Sequence, residues 1–347
     1  MSTKWSRNLA WAGIGLGAGL ALRTYIRRGL AQDLQGQVVV ITGGSRGLGL
    51  AMAREFARQG CRLALCAREA KALEIVKEEF TQKGVEIAEI YIKTCDISKR
   101  DQVDLFVSQV LNHFGRIDIL VNNAGVITIG PQKSTTIEDY AEAMDIMYWG
   151  TVNMTFAVLP HMRERASGRI VNITSIGGKV SIPHLLPYSA AKFAAVGFSE
   201  GMHAELAQDG ITVTTVVPGL MRTGSHVHAY AKGDKEAEYA WFAMGATYPF
   251  ISMQADRAAR KIVDAARLGE AEVILSPQAK LLAGFHGLFP GLTSDILSVV
   301  SRLMPKAPAN DDKTRDAAHR HVTPVASFIS KPGEVAIRKF NQESKQD

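Results

Sequence analysis

The chain contains the sequence VVVITGGSRGLG at residues 38–49. The apolar run 38–42 predicts a buried β-strand, and the stretch 51–58 that follows predicts a helix. Between them stand glycines spaced as GxxxGxG rather than the commoner GxGxxG, and glycine lets the backbone turn tightly and approach a ligand. A helix start adds free N–H groups and positive potential, so this unit is typical of a phosphate cradle rather than of a plain tight turn.

Seven short apolar runs alternate with amphipathic stretches of helical length. This alternation predicts βαβ units, and strands that are apolar on both faces predict helices on both sides of the sheet. The expected fold class is therefore α/β, a doubly wound parallel sheet of the Rossmann type in a single domain, residues 31–278. The predicted strands are residues 38–42, 62–66, 86–94, 117–121, 169–174, 211–217 and 272–275.

The composition is that of a globular protein, because 46% of the 347 residues are hydrophobic and 21% are charged. The net charge of +6 does not predict nucleic-acid binding, since the basic residues beyond the N-terminus are scattered and no nucleic-acid-binding motif accompanies them. Cys61, Cys66 and Cys95 lie in or beside apolar strands without metal-ligand spacing, which predicts reduced thiols in a cytosolic environment. No metal site is predicted.

A second pattern places Tyr188 and Lys192 four residues apart in a predicted helix. Residues i and i+4 share a helix face, so the phenol and the ammonium group can enter one cleft. A neighbouring cation favours the phenolate and is expected to lower the tyrosine pKa toward the range of a general acid or base. The strand end at Ser175 shortly before this pair strengthens the interpretation.

Together these motifs resemble the short-chain dehydrogenase/reductase family, in which a glycine motif, NNAG, a serine, YxxxK and PG follow one another in this order. NNAG stands at residues 122–125 and PG at residues 218–219, each directly after a predicted strand. The resemblance covers residues 37–275. It implies an NAD(P)-dependent oxidoreductase that moves a hydride between nicotinamide and a small-molecule carbonyl or alcohol, in a chain that forms a homo-oligomer.

The resemblance also implies roles for individual residues. Ser175 would orient or polarise the substrate oxygen, Tyr188 would exchange the hydroxyl proton, and Lys192 would hold the nicotinamide ribose and tune Tyr188. Asp96 matches an adenine-contacting acid, although a residue next to a helix N-cap has the same sequence context. The implied cofactor-binding residues are Gly43, Ser45, Arg46, Gly47, Leu48, Gly49, Arg68, Asp96, Ile97, Asn123, Ala124, Gly125, Tyr188, Lys192, Pro218, Gly219 and Thr223.

One position departs from the family pattern. The family has a catalytic Asn in an NxxG context between NNAG and the serine, and here that context begins with Met147. A methionine side chain cannot hold a relay water through the hydrogen bonds of an amide. Either the proton relay is built differently, or activity is reduced and the protein is a dinucleotide-binding sensor or scaffold.

Two arginines favour NADP(H) over NAD(H). Arg68 follows the second strand, where an acid would bind the ribose 2′-hydroxyl of NAD and an arginine accommodates a 2′-phosphate. Arg46 lies within the glycine motif and adds a second cation. Glu69 lies one residue beyond the position expected for an acid that binds NAD. Two solvated surface arginines would give the same pattern, and the cofactor predicted is NADP.

The first 30 residues differ from the rest of the chain. An apolar run at residues 9–22 lies between basic residues, and no acid precedes Asp33. The run is short for a spanning helix, which needs about 20 apolar residues. A membrane anchor, an organelle-targeting segment, a secretory signal and a soluble arm all remain open. We expect residues 1–30 to attach the protein to a membrane with the catalytic domain on the cytoplasmic side.

Residues 222–254 interrupt the alternation and resemble the family's substrate lid. His226 and His228 lie here, but no third metal ligand accompanies them. The apolar residues of segment 222–254 either pack on the core or form a wall of the site for a bulky apolar substrate. They are Trp241, Phe242, Met244, Tyr248, Pro249 and Phe250. Residues 279–347 are expected to form an apolar extension and a polar, poorly ordered tail from residue 306 onward.

The function predicted from the sequence is NADP(H)-dependent reduction of ketones or oxidation of alcohols on an apolar, lipid-like molecule. Two alternatives remain. One is the sensor or scaffold that lost catalysis at Met147, and the other is a soluble enzyme for small polar substrates whose N-terminal run is a removed targeting peptide.

Overall fold

The computed structural model describes residues 31–82, 89–248, 251–308, 313–317 and 334–342. Its centre is a sheet of seven parallel strands in the order β3-β2-β1-β4-β5-β6-β7. The strands are β1 Val38–Thr42, β2 Arg62–Ala67, β3 Ile90–Thr94, β4 Ile119–Asn122, β5 Gly168–Ile173, β6 Ile211–Val217 and β7 Glu272–Ile274. The predicted doubly wound parallel sheet is confirmed.

Ten α-helices flank or extend this sheet between residues 47 and 303 of the described ranges. They are α1 Gly47–Arg58, α2 Ala70–Gln82, α3 Arg100–Phe114, α4 Ile137–Met144, α5 Gly150–Glu164, α6 Leu186–Glu205, α7 Lys235–Thr247, α8 Ala255–Leu268, α9 Pro277–Leu288 and α10 Pro290–Leu303. Apolar residues of α1, α2 and α8 bury one face of the sheet, and those of α3 and α5 bury the other. Because β1 is covered on both sides, all five of its residues are buried.

Strand boundaries differ slightly from those predicted. Strand β4 begins at Ile119, two residues late, because Asp118 ends the preceding loop: its carboxylate accepts the Val38 N–H at 2.9 Å and pairs with Arg116 and Arg165. Strand β3 begins at Ile90, and residues 86–88 of the predicted segment lie outside the described residues.

The order of the strands fixes where a ligand can bind. The chain winds from β1 outward to β3, then returns to place β4 on the other side of β1. At such a reversal the connections after neighbouring strands diverge to opposite faces, which opens a crevice at their carboxyl ends. The loops after β1, β4, β5 and β6 meet at this crevice, and they contain the glycine motif, NNAG, Ser175 and PG.

The C-terminal region contains more structure than the predicted tail. Helices α9 and α10 follow β7 directly, and residues 316–317 pair with Tyr230–Ala231, which in turn pairs with Thr128–Ile129. Residues 334–342 pack against the glycine motif, so the expectation of a poorly ordered tail is wrong for this segment. Residues 1–30 lie outside the described residues, and no helix in the described ranges is long and apolar enough to cross a membrane.

Candidate active site

The glycine motif is tied to the NNAG loop beside it. Asn123 donates its side-chain amide to the Thr42 and Gly43 carbonyl oxygens at 3.0 and 3.2 Å. The N–H groups of Asn123 and Ala124 donate to the Thr42 hydroxyl at 2.9 and 3.1 Å. A Cβ on Gly49 would clash with the Gly43 carbonyl oxygen. These contacts hold the start of α1 against the end of β1, in the compact cradle that a dinucleotide diphosphate requires.

One cavity of about 420 Å³ runs along the carboxyl ends of the strands. Gly49 does not line it, and its role is the close packing just described. Every other candidate lines it: Gly43, Ser45, Arg46, Gly47, Leu48, Arg68, Asp96, Ile97, Asn123, Ala124, Gly125, Ser175, Tyr188, Lys192, Pro218, Gly219 and Thr223. Residues separated by up to 180 positions thus face a single volume, whose size and donors suit NAD(P)(H).

The three candidate catalytic side chains converge in this cavity. The Ser175 hydroxyl accepts the Gly177 N–H at 3.0 Å and is hydrogen-bonded to Tyr188. Lys192 donates its ammonium group to the Ile173 carbonyl oxygen at 2.8 Å, and its Nζ lies 5.8 Å from the centre of the Tyr188 ring. The Ile176 N–H donates to the Pro218 carbonyl oxygen at 2.7 Å, which joins the serine loop to the PG loop.

The electrostatics of this group differ from those predicted. Burial raises the pKa of Tyr188 above its ordinary value, although its hydrogen bond with Ser175 opposes the shift. Burial also lowers the pKa of Lys192 to about 8. The expectation that Lys192 lowers the Tyr188 pKa is therefore wrong, because the lysine is held at the Ile173 carbonyl oxygen and desolvation opposes charge on both groups. Tyr188 is consequently a neutral phenol, a proton donor, at neutral pH.

Met147 lies next to the candidate catalytic group. It is buried in a π-helical turn, Asp145–Trp149, between α4 and α5. Its side chain packs with Val126 and Ala191 in a cluster that also contacts Tyr188. A Cβ on Gly125 would lie 3.5 Å from the Met147 sulfur. The position that holds an amide in the family pattern is thus filled by a side chain that packs closely in apolar surroundings.

Arg46 and Arg68 both stand at the end of the cavity beside β2. Arg46 pairs with Glu69 at 2.6 Å and with the His228 ring at 3.1 Å, whereas the exposed Arg68 lies on the same rim. Asp96, on the next loop, lines the cavity and also accepts the Ser98 N–H and hydroxyl at 3.0 and 2.8 Å. Both interpretations of Asp96 therefore have a structural basis.

The lid segment divides into two parts. Residues 223–230 contribute Thr223, Ser225, His228 and Tyr230 to the cavity. The apolar residues of α7 and its C-cap do not line it: Phe242 is buried in the core, Trp241 is half-buried, and Met244 and the C-cap residue Tyr248 are exposed. Residues 249 and 250 lie outside the described residues.

The two lid histidines do not form a metal site in the described part of the chain. Burial lowers the pKa of His226 to about 4, and its Nε2 has no partner among the described residues. Within those ranges no group of three or more His, Cys, Asp or Glu side chains is arranged to hold a metal ion.

Several cavity residues were not predicted from the sequence. Ile146 and Tyr230 add apolar surface, and His228 partners Arg46. Gln342 reaches the cavity from the C-terminal end of the chain. No local pattern distinguishes these residues, because each enters the cavity through long-range packing.

Comparison with known proteins agrees with this geometry. The family described as short chain dehydrogenase matches residues 37–233. A dehydrogenase/reductase SDR family protein 7-like of Drosophila melanogaster is 35% identical over 271 residues, which is 75% of this chain and 79% of that protein. The dehydrogenase/reductase SDR family member 7B of Mus musculus is 37% identical over 197 residues, and this chain spans only 61% of its length.

Solved structures show the same similarity. A short-chain dehydrogenase from Streptomyces avermitilis is 28% identical with a TM-score of 0.66, and the match covers 77% of this chain and 97% of that one. A gluconate 5-dehydrogenase from Burkholderia cenocepacia, solved with NADP and tartrate, is 25% identical with a TM-score of 0.62, covering 71% and 96%. The chain belongs to the short-chain dehydrogenase/reductase family, and this membership indicates an NAD(P)-dependent oxidoreductase acting on a carbonyl or CH–OH group.

Proposed function

We propose that the protein is an NADP(H)-dependent oxidoreductase for the carbonyl/alcohol pair of an apolar, lipid-like molecule. The observation on which this depends is that Ser175, Tyr188 and Lys192 open into the same cavity as the glycine motif. A dinucleotide in the glycine cradle and a carbonyl at Tyr188 would therefore share one volume. The cradle fits such a cofactor because the α1 N-terminus and its glycines offer N–H groups and no side-chain bulk.

Each catalytic residue has a role that its contacts support. When bound, the reduced cofactor supplies a hydride to the carbonyl carbon. Tyr188 donates its phenolic proton to the carbonyl oxygen, since it is neutral at neutral pH and lies at the cavity surface. Ser175, hydrogen-bonded to Tyr188, orients that oxygen, and Lys192 would hold the ribose hydroxyls of the bound cofactor. In the reverse direction the phenolate form of Tyr188, the form left after proton donation, accepts the proton of the alcohol.

The preference for NADP(H) is supported by charge at the β2 end of the cavity. Arg46 and Arg68 line the same rim, and an arginine pair there would form charge-assisted bonds with a 2′-phosphate. In the Arg46–Glu69 pair the arginine side chain is 32% exposed and the glutamate side chain is 55% exposed. Solvent therefore screens the pair, and a phosphate can displace the carboxylate at little cost.

The apolar substrate is supported by the cavity wall near Tyr188. Val126, Ile127, Ile146 and Tyr230 line the cavity and belong to the apolar clusters that also contact Tyr188. A ketone with a long apolar portion would bury that surface and leave one oxygen for the hydroxyls of Ser175 and Tyr188.

A panel of carbonyl compounds tests the proposed function. The purified protein is incubated with NADPH and with long-chain, steroid or retinoid carbonyl compounds. A small polar ketone such as 5-ketogluconate serves as the comparison substrate. Loss of NADPH absorbance with the apolar compounds is expected. Turnover of the small polar ketone alone would contradict the proposed lipid-like substrate and would favour the alternative of an enzyme for small polar substrates.

Membrane attachment is proposed from residues 1–30, with the catalytic domain on the cytoplasmic side. The C-terminal helices α9 and α10 support a membrane-facing protein, because they expose a row of large apolar side chains. These are Leu281, Leu288, Phe289, Leu292, Ile296, Val299 and Leu303.

Deleting residues 1–28 is expected to move the protein from the membrane fraction toward the soluble fraction. Partial retention through α9 and α10 is expected, and Leu288→Glu with Leu303→Glu should then release the deleted protein, since both side chains are more than 70% exposed. Fractionation in low-salt lysate measures this. A full-length protein that is entirely soluble contradicts the anchor.

A second candidate function, a sensor or scaffold without turnover, follows from Met147. If catalysis proceeds with Met147 packed in apolar surroundings, Met147→Asn should change the turnover rate only modestly or lower it. The reason is that an amide buried without hydrogen-bond partners costs about 1–3 kcal/mol. Met147→Leu, which keeps the packing, is the control. Rates on one accepted ketone decide the question, and a gain of about a hundredfold in Met147→Asn would favour a decayed catalyst.

A further inference from the structure

Residues 334–342, called here the C-terminal strap, pack against the glycine motif, which lies almost 300 residues earlier in the sequence. Residues 334–339 are helical. Ala336 and Phe340 are buried in the same core cluster as α1 and α8, and Lys339 pairs with Asp256 on α8. A six-residue helix has little stability of its own, so burial of its apolar side chains keeps the strap in place.

Three hydrogen bonds, each to a backbone carbonyl oxygen, hold the strap against the phosphate cradle and α1. The Phe340 carbonyl oxygen accepts the Gly47 N–H at 2.9 Å, at the first residue of α1. Asn341 donates its side-chain amide to the Ser45 carbonyl oxygen at 3.1 Å, and Arg54 donates to the Lys339 carbonyl oxygen at 2.8 Å. The strap therefore contacts the loop that would surround a diphosphate.

Gln342 ends the strap inside the cavity. Its side chain is only 2% exposed, and it lines the cavity near Gly47 and Thr223. A Cβ on Gly47 would lie 2.6 Å from Gln342 Nε2, so the absence of a side chain at Gly47 makes room for this amide. The Gln342 Oε1 atom has no hydrogen-bond partner among the described residues.

A buried acceptor without a donor is costly, and native proteins rarely leave one unmatched. The dinucleotide that the proposed function places here has hydrogen-bonding partners for both ends of a carboxamide. Its phosphate oxygens accept hydrogen bonds from an NH₂ group, and its ribose hydroxyls donate to a carbonyl oxygen.

We propose that the C-terminal strap is part of the cofactor site and that Gln342 binds the diphosphate–ribose portion of NADP(H) through its carboxamide. This inference rests on the proposed dinucleotide site. The backbone of the strap lies on the rim of the cradle, and Gln342 lines the cavity beside Gly47.

Titration of the full-length protein with NADPH, followed by calorimetry, tests the proposal without turnover. Gln342→Ala is expected to weaken NADPH binding about tenfold, the loss of a hydrogen bond to a charged group. Gln342→Glu should weaken it further, because a carboxylate would face the phosphates. Gln132→Ala, which removes an exposed amide outside the cavity, should bind as the parent does.

Hydrogen exchange supplies a second readout on the unmutated protein. NADPH is expected to slow exchange of the amides in residues 334–342, which keeps the proposal testable if a Gln342 variant fails to fold. Unchanged exchange of the strap in cofactor-saturated protein overturns the proposal, as does NADPH affinity in Gln342→Ala equal to or tighter than that of the parent. A parent that does not bind NADPH at all would instead refute the proposed function.

Discussion

Tyr188→Phe is expected to abolish turnover while the protein still binds NADPH with nearly unchanged affinity. The phenol is the proposed proton donor, whose contribution exists only in the transition state, whereas the cofactor is held by the glycine cradle and Lys192. General acid–base groups supply about 10²–10⁴-fold in rate. Steady-state rates on one accepted ketone, measured beside NADPH titrations, therefore separate the two effects.

Tyr140→Phe is the matched control for this loss. It removes a phenolic hydroxyl from α4 that does not line the cavity, so its rate should equal that of the parent. A Tyr188→Phe protein that keeps more than about a tenth of parent activity contradicts the assignment of Tyr188 as the proton donor.

Arg68→Ala is expected to weaken NADPH binding about ten- to a hundredfold and to leave NADH binding unchanged. An arginine bonded to a 2′-phosphate contributes about 1.5–3 kcal/mol, and NADH has no such phosphate. Because Arg68 is exposed and lines the cavity, its removal leaves the fold intact. The measurement is a pair of titrations, one with each cofactor, on parent and variant.

Two further variants sharpen this cofactor test. Lys77→Ala removes an exposed cation from α2 outside the cavity and should alter neither affinity. Glu69→Gln should raise the NADPH affinity slightly, because it frees Arg46 from its carboxylate partner. Equal binding of NADPH and NADH by the parent protein would show that the two arginines do not select the cofactor.

The sheet was predictable because its signals are local. A buried parallel strand is a short apolar run, and the seven runs found in the sequence are the seven strands of the central sheet. The error at β4 arose because the Asp118 carboxylate, rather than strand pairing, takes the Val38 N–H. The pattern of hydrophobic residues does not reveal where a polar side chain replaces a backbone hydrogen bond between two strands.

The placement of the candidate site residues in one cavity was predictable because parallel strands bring their carboxyl ends to one edge. The electrostatics were not predictable, since they depend on burial. The spacing of Tyr188 and Lys192 indicates a shared helix face, but it does not show that desolvation lowers the lysine pKa to about 8. The packing of Met147 in a π-helical turn is likewise invisible to a helical pattern.

The C-terminal strap illustrates the limit of sequence reasoning. Polar, charged residues near a terminus are typical of a disordered tail, and the composition after residue 306 has this character. Phe340 and Ala336 reverse that expectation for residues 334–342, because both side chains are buried in the core cluster that contains α1 and α8. Such a docking is a long-range event that depends on the finished core.

Transfer of deuterium from NADPH to product tests the central claim most directly. NADPH carrying deuterium at both C4 positions is mixed with the protein and each apolar carbonyl compound, and the alcohol product is analysed by mass spectrometry. The proposed reaction predicts one deuterium on the carbinol carbon with the parent protein and none with Tyr188→Phe. Binding of NADPH without deuterated alcohol from any carbonyl would contradict it.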